Sequence, residues 1–535
     1  MLARALLDPK CYPHAVEKVE LHETHISWVF VAGPYAYKVK KPVALGFLDF
    51  STLEARRHYC EEELRLNRRF APELYQDVVE IRGTCEAPCI GGTGALVDYA
   101  LRMRRFGQGV LASQMLARCA LTPKLMADFG RYLAGFHASL GPSVTQHGTT
   151  ESVLRSTIEN FDQISPLLED PRDTERLAAL RHWTDREFLE RYGELRERHA
   201  AGFVRECHGD LHLGNIVAIE GRLVPFDCIE FSAALRWIDV MSEAAFLFMD
   251  LVDHGATALA WVFLNAYLDE TGDYSGLAVL RFYLVYRAMV RAKIHLMRAR
   301  QPGLSAGEQA RLFHAHRGYI ELAQHCAAPG HPALVLMHGL SGSGKSTVAA
   351  QLAPELGAIR IRSDIERKRL KGLRALASSA SALESGLYDT AATDATYARL
   401  AHAARSVIEA GYTAIVDATF LKRSQRAALE KVARATGTPA LAICVDAPRE
   451  VLRRRIGLRS NDPSEATLEV LEHQIATAEP IAASEHLVVI PVDGGAEPIA
   501  RELAARVRAA SLMQVNMPQK SAVHDEHDCD SAELT

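Results

Sequence analysis

The chain has 535 residues, more than one hydrophobic core usually organises, so at roughly 150 residues per domain it divides into about three or four domain-sized pieces. With 48% hydrophobic and 24% charged residues and a net charge of -5, it is neither a disordered chain nor a basic nucleic-acid binder. Its 10 cysteines are scattered, it has no run of about 18 apolar residues and it has no apolar leader, so a reduced, soluble, cytoplasmic protein with no membrane partner is expected.

Residues 22–50 hold H-I-S-W-V-F-V, a Gly33-Pro34 turn and Y-A-Y-K-V-K, β-branched and aromatic runs that predict short strands. A charged amphipathic helix is predicted over 52–69, opened by Ser51, Thr52 and Glu54. Strand-like runs at 77–81 and 95–103 complete a small antiparallel sheet with one helix. From 122 to 199 the apolar period is helical, short strands follow around 203–228, and helices resume, among them 280–300 with many arginines on what reads as a solvated face. The Pro/Gly break C-A-A-P-G-H-P at 326–332 marks a domain boundary too short to be a long tether. Beyond it strands and helices alternate around a glycine loop, which predicts an α/β domain with a mainly parallel sheet. Residues 513–535, acidic and poor in apolar groups, are expected to be a disordered tail. The predicted architecture is therefore a two-lobed α+β domain over 1–328, an α/β domain over 333–512 and the tail.

The segment H-G-D-L-H-L-G-N, His208 to Asn215, has the spacing H-x-D-x-x-x-x-N of a kinase catalytic loop. In such a loop the acid, here Asp210, receives or orients the acceptor hydroxyl, and the amide, here Asn215, holds Mg²⁺. Asp227 follows twelve residues later in V-P-F-D-C-I-E-F, where a second metal-holding carboxylate is required. Upstream, Lys38 in a strand and Glu63 in the next helix are candidates for the ion pair that aligns the α- and β-phosphates of ATP. Lys40 lies two residues on in the same strand, and Asp239 reads equally as a structural acid or a helix N-cap. No G-x-G-x-x-G occurs in the first strands, and Asp227 lacks a following Phe-Gly.

The second motif, G-L-S-G-S-G-K-S-T, follows an apolar strand and opens a helix. Gly339, Ser341, Gly342, Ser343 and Gly344 let backbone N–H groups converge on phosphates, Lys345 reaches the β- and γ-phosphates, and Ser346, beside Thr347, offers a hydroxyl to Mg²⁺. Asp364 and Arg367 lie just past one strand, and Asp417 ends another; carboxyl ends of parallel strands form the ligand crevice. An acid at either place can take a proton from an acceptor hydroxyl or hold Mg²⁺ through water. Arg455 and Arg459, with Arg453 and Arg454, are placed to close on phosphates from a lid.

The stretch from about 15 to 325 resembles the aminoglycoside-phosphotransferase-like kinases, a branch in which H-G-D replaces H-R-D, and it carries Y-A-Y-K-V-K-K-P-V, C-E-E-E-L-R-L-N-R-R-F-A-P-E-L-Y and W-I-D-V-M-S-E-A-A-F-L-F-M-D-L. Residues 333–512 resemble P-loop small-molecule and polynucleotide kinases related to zeta toxins, often labelled AAA-type, through G-L-S-G-S-G-K-S-T, S-D-I-E-R, V-D-A-T-F and R-I-G-L-R…D-P-S-E-A-T. The first resemblance implies Lys38, in an aromatic-Lys-aliphatic strand, rather than Lys40 as the phosphate-aligning lysine; the second implies Asp364 as the acceptor-side base, Arg367 as an acceptor-phosphate contact and Asp417 as the second-strand acid that holds metal. The combination resembles bifunctional aminoglycoside phosphotransferase/ATP-binding proteins. It implies an ATP- and Mg²⁺-dependent phosphotransferase acting on a small-molecule hydroxyl, with the P-loop half as a second kinase. The alternatives are a nucleotide-sensing regulator or a toxin-like kinase of polynucleotide ends; the slight basic excess of 333–512 does not favour a nucleic-acid partner. A pocket for a polycationic aminoglycoside needs converging acids, for which Glu243, Asp250, Asp253, Asp269 and Glu270 are available.

Overall fold

The computed structural model describes residues 1–45, 48–143, 146–373, 390–458, 467–494 and 500–516. The predicted tail over 513–535 and the lid residue Arg459 fall largely or wholly outside the described residues.

Six antiparallel strands form the first sheet, in the order Val19–Glu23, Ser27–Ala32, Tyr35–Lys40, Leu96–Arg104, Tyr75–Gly83, Pro88–Ile90. Alternation along Tyr35–Lys40 sends Tyr37 and Val39 into the apolar core with Phe30, Ile81 and Ala100, and Lys38 and Lys40 to the opposite face. The helix Leu53–Asn67 crosses that face. Its Thr52 hydroxyl caps Ala55 N–H, and its buried side chains Arg56, Cys60, Glu63 and Asn67 recur every three to four residues. Glu63 is thereby aimed at the two lysines.

The larger lobe is helical. Two long helices, Leu277–Ala299 and Ala306–Ala327, pack antiparallel, and the helices Val240–Asp253 and Thr257–Thr271 complete the core. The arginine-bearing helix is present, but Arg287 is only 4% exposed, so that part of the predicted solvated face is interior. Asp239 serves both readings: it caps Met241 N–H at 2.8 Å and pairs with Arg198, which also binds Asp273. The nine described cysteines are unpaired, and no described helix is long and apolar enough to cross a membrane.

The second half holds a five-stranded sheet, entirely parallel, in the order Ala358–Arg362, Thr413–Asp417, Leu334–His338, Ala440–Asp446, Val488–Asp493. Its three inner strands, Thr413–Asp417, Leu334–His338 and Ala440–Asp446, are nearly continuous buried runs, as a sheet covered on both faces requires, whereas the edge strand Ala358–Arg362 alternates Ile with Arg. One cluster of buried apolar side chains runs from the helical lobe into this sheet, so the short break at 326–332 joins two halves that share a core.

Candidate functional sites

In the cleft of the first half, Lys38 Nζ lies 2.7 Å from Glu63 Oε1 and 2.5 Å from Asp227 Oδ1, which brings together three segments far apart in sequence. Lys40, two residues on and therefore on the same face, donates to Glu63 Oε2 at 2.8 Å and to Glu230. Only Lys38 also reaches Asp227. Burial works against both ammonium groups, but the facing carboxylates outweigh it and hold both pKa values above the ordinary 10.5. Burial likewise raises the acids; Glu63, with two lysines, still ends below 4.5, whereas Glu230 ends above it.

Asp227 adopts a left-handed φ of 63°, uncommon for a residue with a Cβ. Its N–H donates to the Tyr75 hydroxyl at 3.0 Å, and the next N–H, of Cys228, donates to Asn67 Oδ1 at 2.9 Å. The upper lobe thus fixes the backbone that presents the Asp227 carboxylate.

The H-G-D loop is clamped from below. Glu243 accepts from His208 N–H at 3.0 Å and Gly209 N–H at 2.8 Å, with His137 against it at 3.2 Å. Burial opposes ionisation of Glu243, yet these partners lower its pKa to about 2. Arg287 donates to Gly209 carbonyl at 3.2 Å, and Asp250 accepts from Leu213 N–H at 2.8 Å. Gly209 has φ of 87°, and a Cβ there would lie 2.7 Å from Leu235 carbonyl, which explains glycine between His208 and Asp210. Asn215 Nδ2 donates to Asp210 Oδ2 at 3.1 Å, and His212 Nε2 lies 3.5 Å from the same oxygen. Burial raises Asp210, but His212 and His208 outweigh it and leave it well below the ordinary 3.8.

Two of the acids available for a polycation converge, since Asp250 Oδ1 and Asp253 Oδ2 lie 3.8 Å and 3.9 Å from His254 Nδ1, and the others are engaged elsewhere or apart. Glu243 is spent on the H-G-D loop, Asp250 caps that loop, Asp253 lies beside His254, and Asp269 faces Arg360 and Arg362 of the second half.

In the second half the apolar strand Leu334–His338 delivers the glycine loop to the helix Lys345–Leu356. Gly339 has φ of 141°, and a Cβ would meet Val445 carbonyl at 2.3 Å, so the loop passes against the neighbouring strand only as glycine. Lys345 Nζ donates to Leu340 carbonyl at 2.7 Å, curled over the loop. Ser346 Oγ donates to Asp417 Oδ1 at 3.2 Å, while Asp417 Oδ2 is buried without a hydrogen-bond partner. A hydroxyl, a carboxylate and an orphaned carboxylate oxygen at one point fit a hard divalent cation such as Mg²⁺. Asp364 and Arg367 lie one helical turn apart at 3.7 Å, just past the edge strand. Arg455 reaches the loop carbonyls of Gly342 and Ser343, both at 3.3 Å, and Gly494 at 2.8 Å. Arg453 instead pairs with Glu472 on the surface.

Sequence reasoning missed Lys40–Glu230, Arg287, Tyr75 and Asn67, and read Glu243 as an available pocket acid where it clamps the H-G-D loop. The first had a signal in the two-residue spacing of Lys38 and Lys40; the rest act through backbone contacts that have no motif.

A two-lobed fold with an H-G-D loop, joined to a parallel sheet with a phosphate-binding loop, defines a class of kinase-like phosphotransferases. The phosphotransferase enzyme family matches residues 48–283, and the AAA domain family matches residues 334–481. The chain belongs to the two-domain family that includes uncharacterized proteins of Mycobacterium tuberculosis and Mycobacterium bovis, each 30% identical over 469 residues that cover 86% of this chain and 91% of theirs. Among solved structures, it is similar to the amicoumacin kinase hAmiN in complex with AMP-PNP, Ca²⁺ and Ami (14% identity, 60% of this chain and 92% of that one, TM-score 0.38). It is also similar to the APS kinase CysC of Mycobacterium tuberculosis in complex with AMPPNP and APS (21%, 34% and 98%, TM-score 0.24).

Proposed function

We propose that the protein is an ATP-dependent phosphotransferase with two nucleotide sites, one in each half, and that the first phosphorylates a hydroxyl of a small molecule. The observation that supports this reading is the meeting of Lys38 with Glu63 and Asp227, the arrangement expected of a cation that aligns phosphates next to an acid that would hold metal. Asn215 and Asp227 would hold Mg²⁺, which neutralises charge on the transferring phosphoryl group. Asp210, held ionised by His212, is too weak a base to remove a hydroxyl proton early. It orients the acceptor hydroxyl and takes its proton as the phosphoryl group transfers. In the second half Lys345 and the loop amides grip phosphates, Ser346 and Asp417 would hold Mg²⁺, Asp364 orients the acceptor with Arg367, and Arg455 closes from the lid side.

Incubating the protein with γ-labelled ATP and a metabolite extract tests this. Asp210→Ala and Lys345→Ala should each remove a different labelled product; the absence of any product in the wild type overturns the reading. The shared core favours a second reading, in which the P-loop half senses nucleotide and regulates the first half. Lys345→Ala would then change the kinetics of the Asp210-dependent reaction.

A further inference from the structure

The edge of the P-loop sheet is covered by a side chain of the other half. In an open parallel sheet, the outer strand leaves every second peptide group unpaired on its free side. Here that strand is Ala358–Arg362, and Asn265, from the helix Thr257–Thr271, lies along it. Its amide donates to Ala358 carbonyl at 2.9 Å, and its oxygen accepts from Arg360 N–H at 2.7 Å, so one side chain replaces a neighbouring strand. One turn further along, Asp269 Oδ2 lies 3.4 Å from Arg360, whose other terminal nitrogen donates to Ser346 carbonyl at 3.3 Å. Asn265 and Asp269 are both buried, at 8% and 9% residue exposure.

This strand runs directly into the helix Ser363–Leu370, which carries Asp364 and Arg367. The rear of that helix is held from the same side. Fully buried Glu366 accepts from Tyr274 hydroxyl at 3.4 Å and from Arg399 at 3.0 Å, and Arg399 also donates to Gly272 carbonyl at 3.4 Å. The acceptor-side helix and the main chain of the candidate metal-holding serine therefore both rest on the kinase-like half.

We propose that Asn265 and Asp269 are positioning residues of the P-loop site, fixing the edge strand that sets the places of Asp364 and of the Ser346 backbone. The consequence for turnover rests on the reading of that site as a kinase. Outer contacts of this kind, which touch no ligand, typically change activity by about 10- to 100-fold when lost.

The test uses the full chain carrying Asn265→Ala, Asn265→Asp or Asp269→Ala. The control is Arg281→Ala, which loosens the same joint beside Gly411 and Tyr412, just before Thr413 of the neighbouring strand and away from the carboxyl end that carries Asp417 and Asp364. Amide hydrogen exchange over residues 358–370 should speed by about tenfold or more in Asn265→Ala and Asp269→Ala, less in Asn265→Asp, which keeps the acceptor for Arg360 N–H, and by under about twofold in Arg281→Ala. Lys345-dependent ATP turnover should lose about tenfold in kcat with KM for ATP within about twofold, while Asp210-dependent turnover is unchanged. Exchange within about twofold of the parent in both alanine variants, or an equal effect of Arg281→Ala, overturns the proposal. If the wild type has no Lys345-dependent turnover, the kinase reading of the P-loop half fails, and the exchange measurement still decides whether the strand is held as described.

Discussion

At the scale of single residues, charge shared in a dry cleft decides behaviour. Lys40 is fully buried between Glu63 and Glu230. Lys40→Met removes the buried ammonium paired with Glu230 and should cost about 3 kcal/mol at neutral pH in denaturant unfolding. Glu230 already sits above the ordinary carboxylate range, so it takes a proton as pH falls; the cost should shrink toward acid pH, and a pH-independent cost would contradict this account. Asp210 and His212 form the opposite case. Burial lowers the imidazole, but Asp210 outweighs it and lifts His212 above 6.5. The stabilisation from Asp210 is present above 3.8 and is lost as pH falls through its lower folded value. That from His212 is present below 6.5 and is lost as pH rises through its higher folded value. The pair is therefore most favourable between these limits. His212→Phe should move the acid limb of Asp210-dependent kcat/KM to higher pH, because burial then acts on Asp210 with its first cation gone; an unmoved limb assigns that limb to another group.

At the scale of elements, the helix Leu53–Asn67 does two jobs with one face. Glu63 organises the lysines, and Asn67 in its last turn holds Cys228 N–H and so the strained Asp227 next to it. Asn67→Ala leaves that buried N–H without its partner, at a cost of about 1–3 kcal/mol in thermal or denaturant unfolding. It should also lower kcat of the Asp210-dependent reaction more than it raises KM for ATP, measured by steady-state kinetics, because the displaced group acts on the transferring phosphate. The helix itself was legible: Thr52 as cap and apolar spacing predicted 52–69, against Leu53–Asn67 observed. Asn67 was not, since an amide on a helix shows nothing of a partner 161 residues away.

At the scale of the whole molecule, the two halves are one packed body within the described residues. Trp261 and Tyr412 meet across the joint with ring centroids 5.9 Å apart, inside the core that spans both halves. Differential scanning calorimetry should therefore show one cooperative transition rather than two, and Trp261→Ala should lower the whole transition together. Two resolved transitions would mean that the apolar contact contributes little. The sequence placed the boundary at 326–332, where helix Ala306–Ala327 ends and strand Leu334–His338 begins.

What the sequence determined by itself is the chemistry that depends on short spacing. The H-G-D loop, the glycine loop, the metal-holding candidates and the parallel character of the second sheet are all written in residues close together in the chain, because backbone geometry over a few residues sets them. The tertiary structure alone decided which acids are already committed, that Lys40 is held by Glu63 and Glu230, and that Asn265 closes an edge of the other half's sheet. Those outcomes depend on contacts between residues tens to hundreds of positions apart, where no local period or motif carries information and only the packing of a shared core brings the groups within hydrogen-bond range.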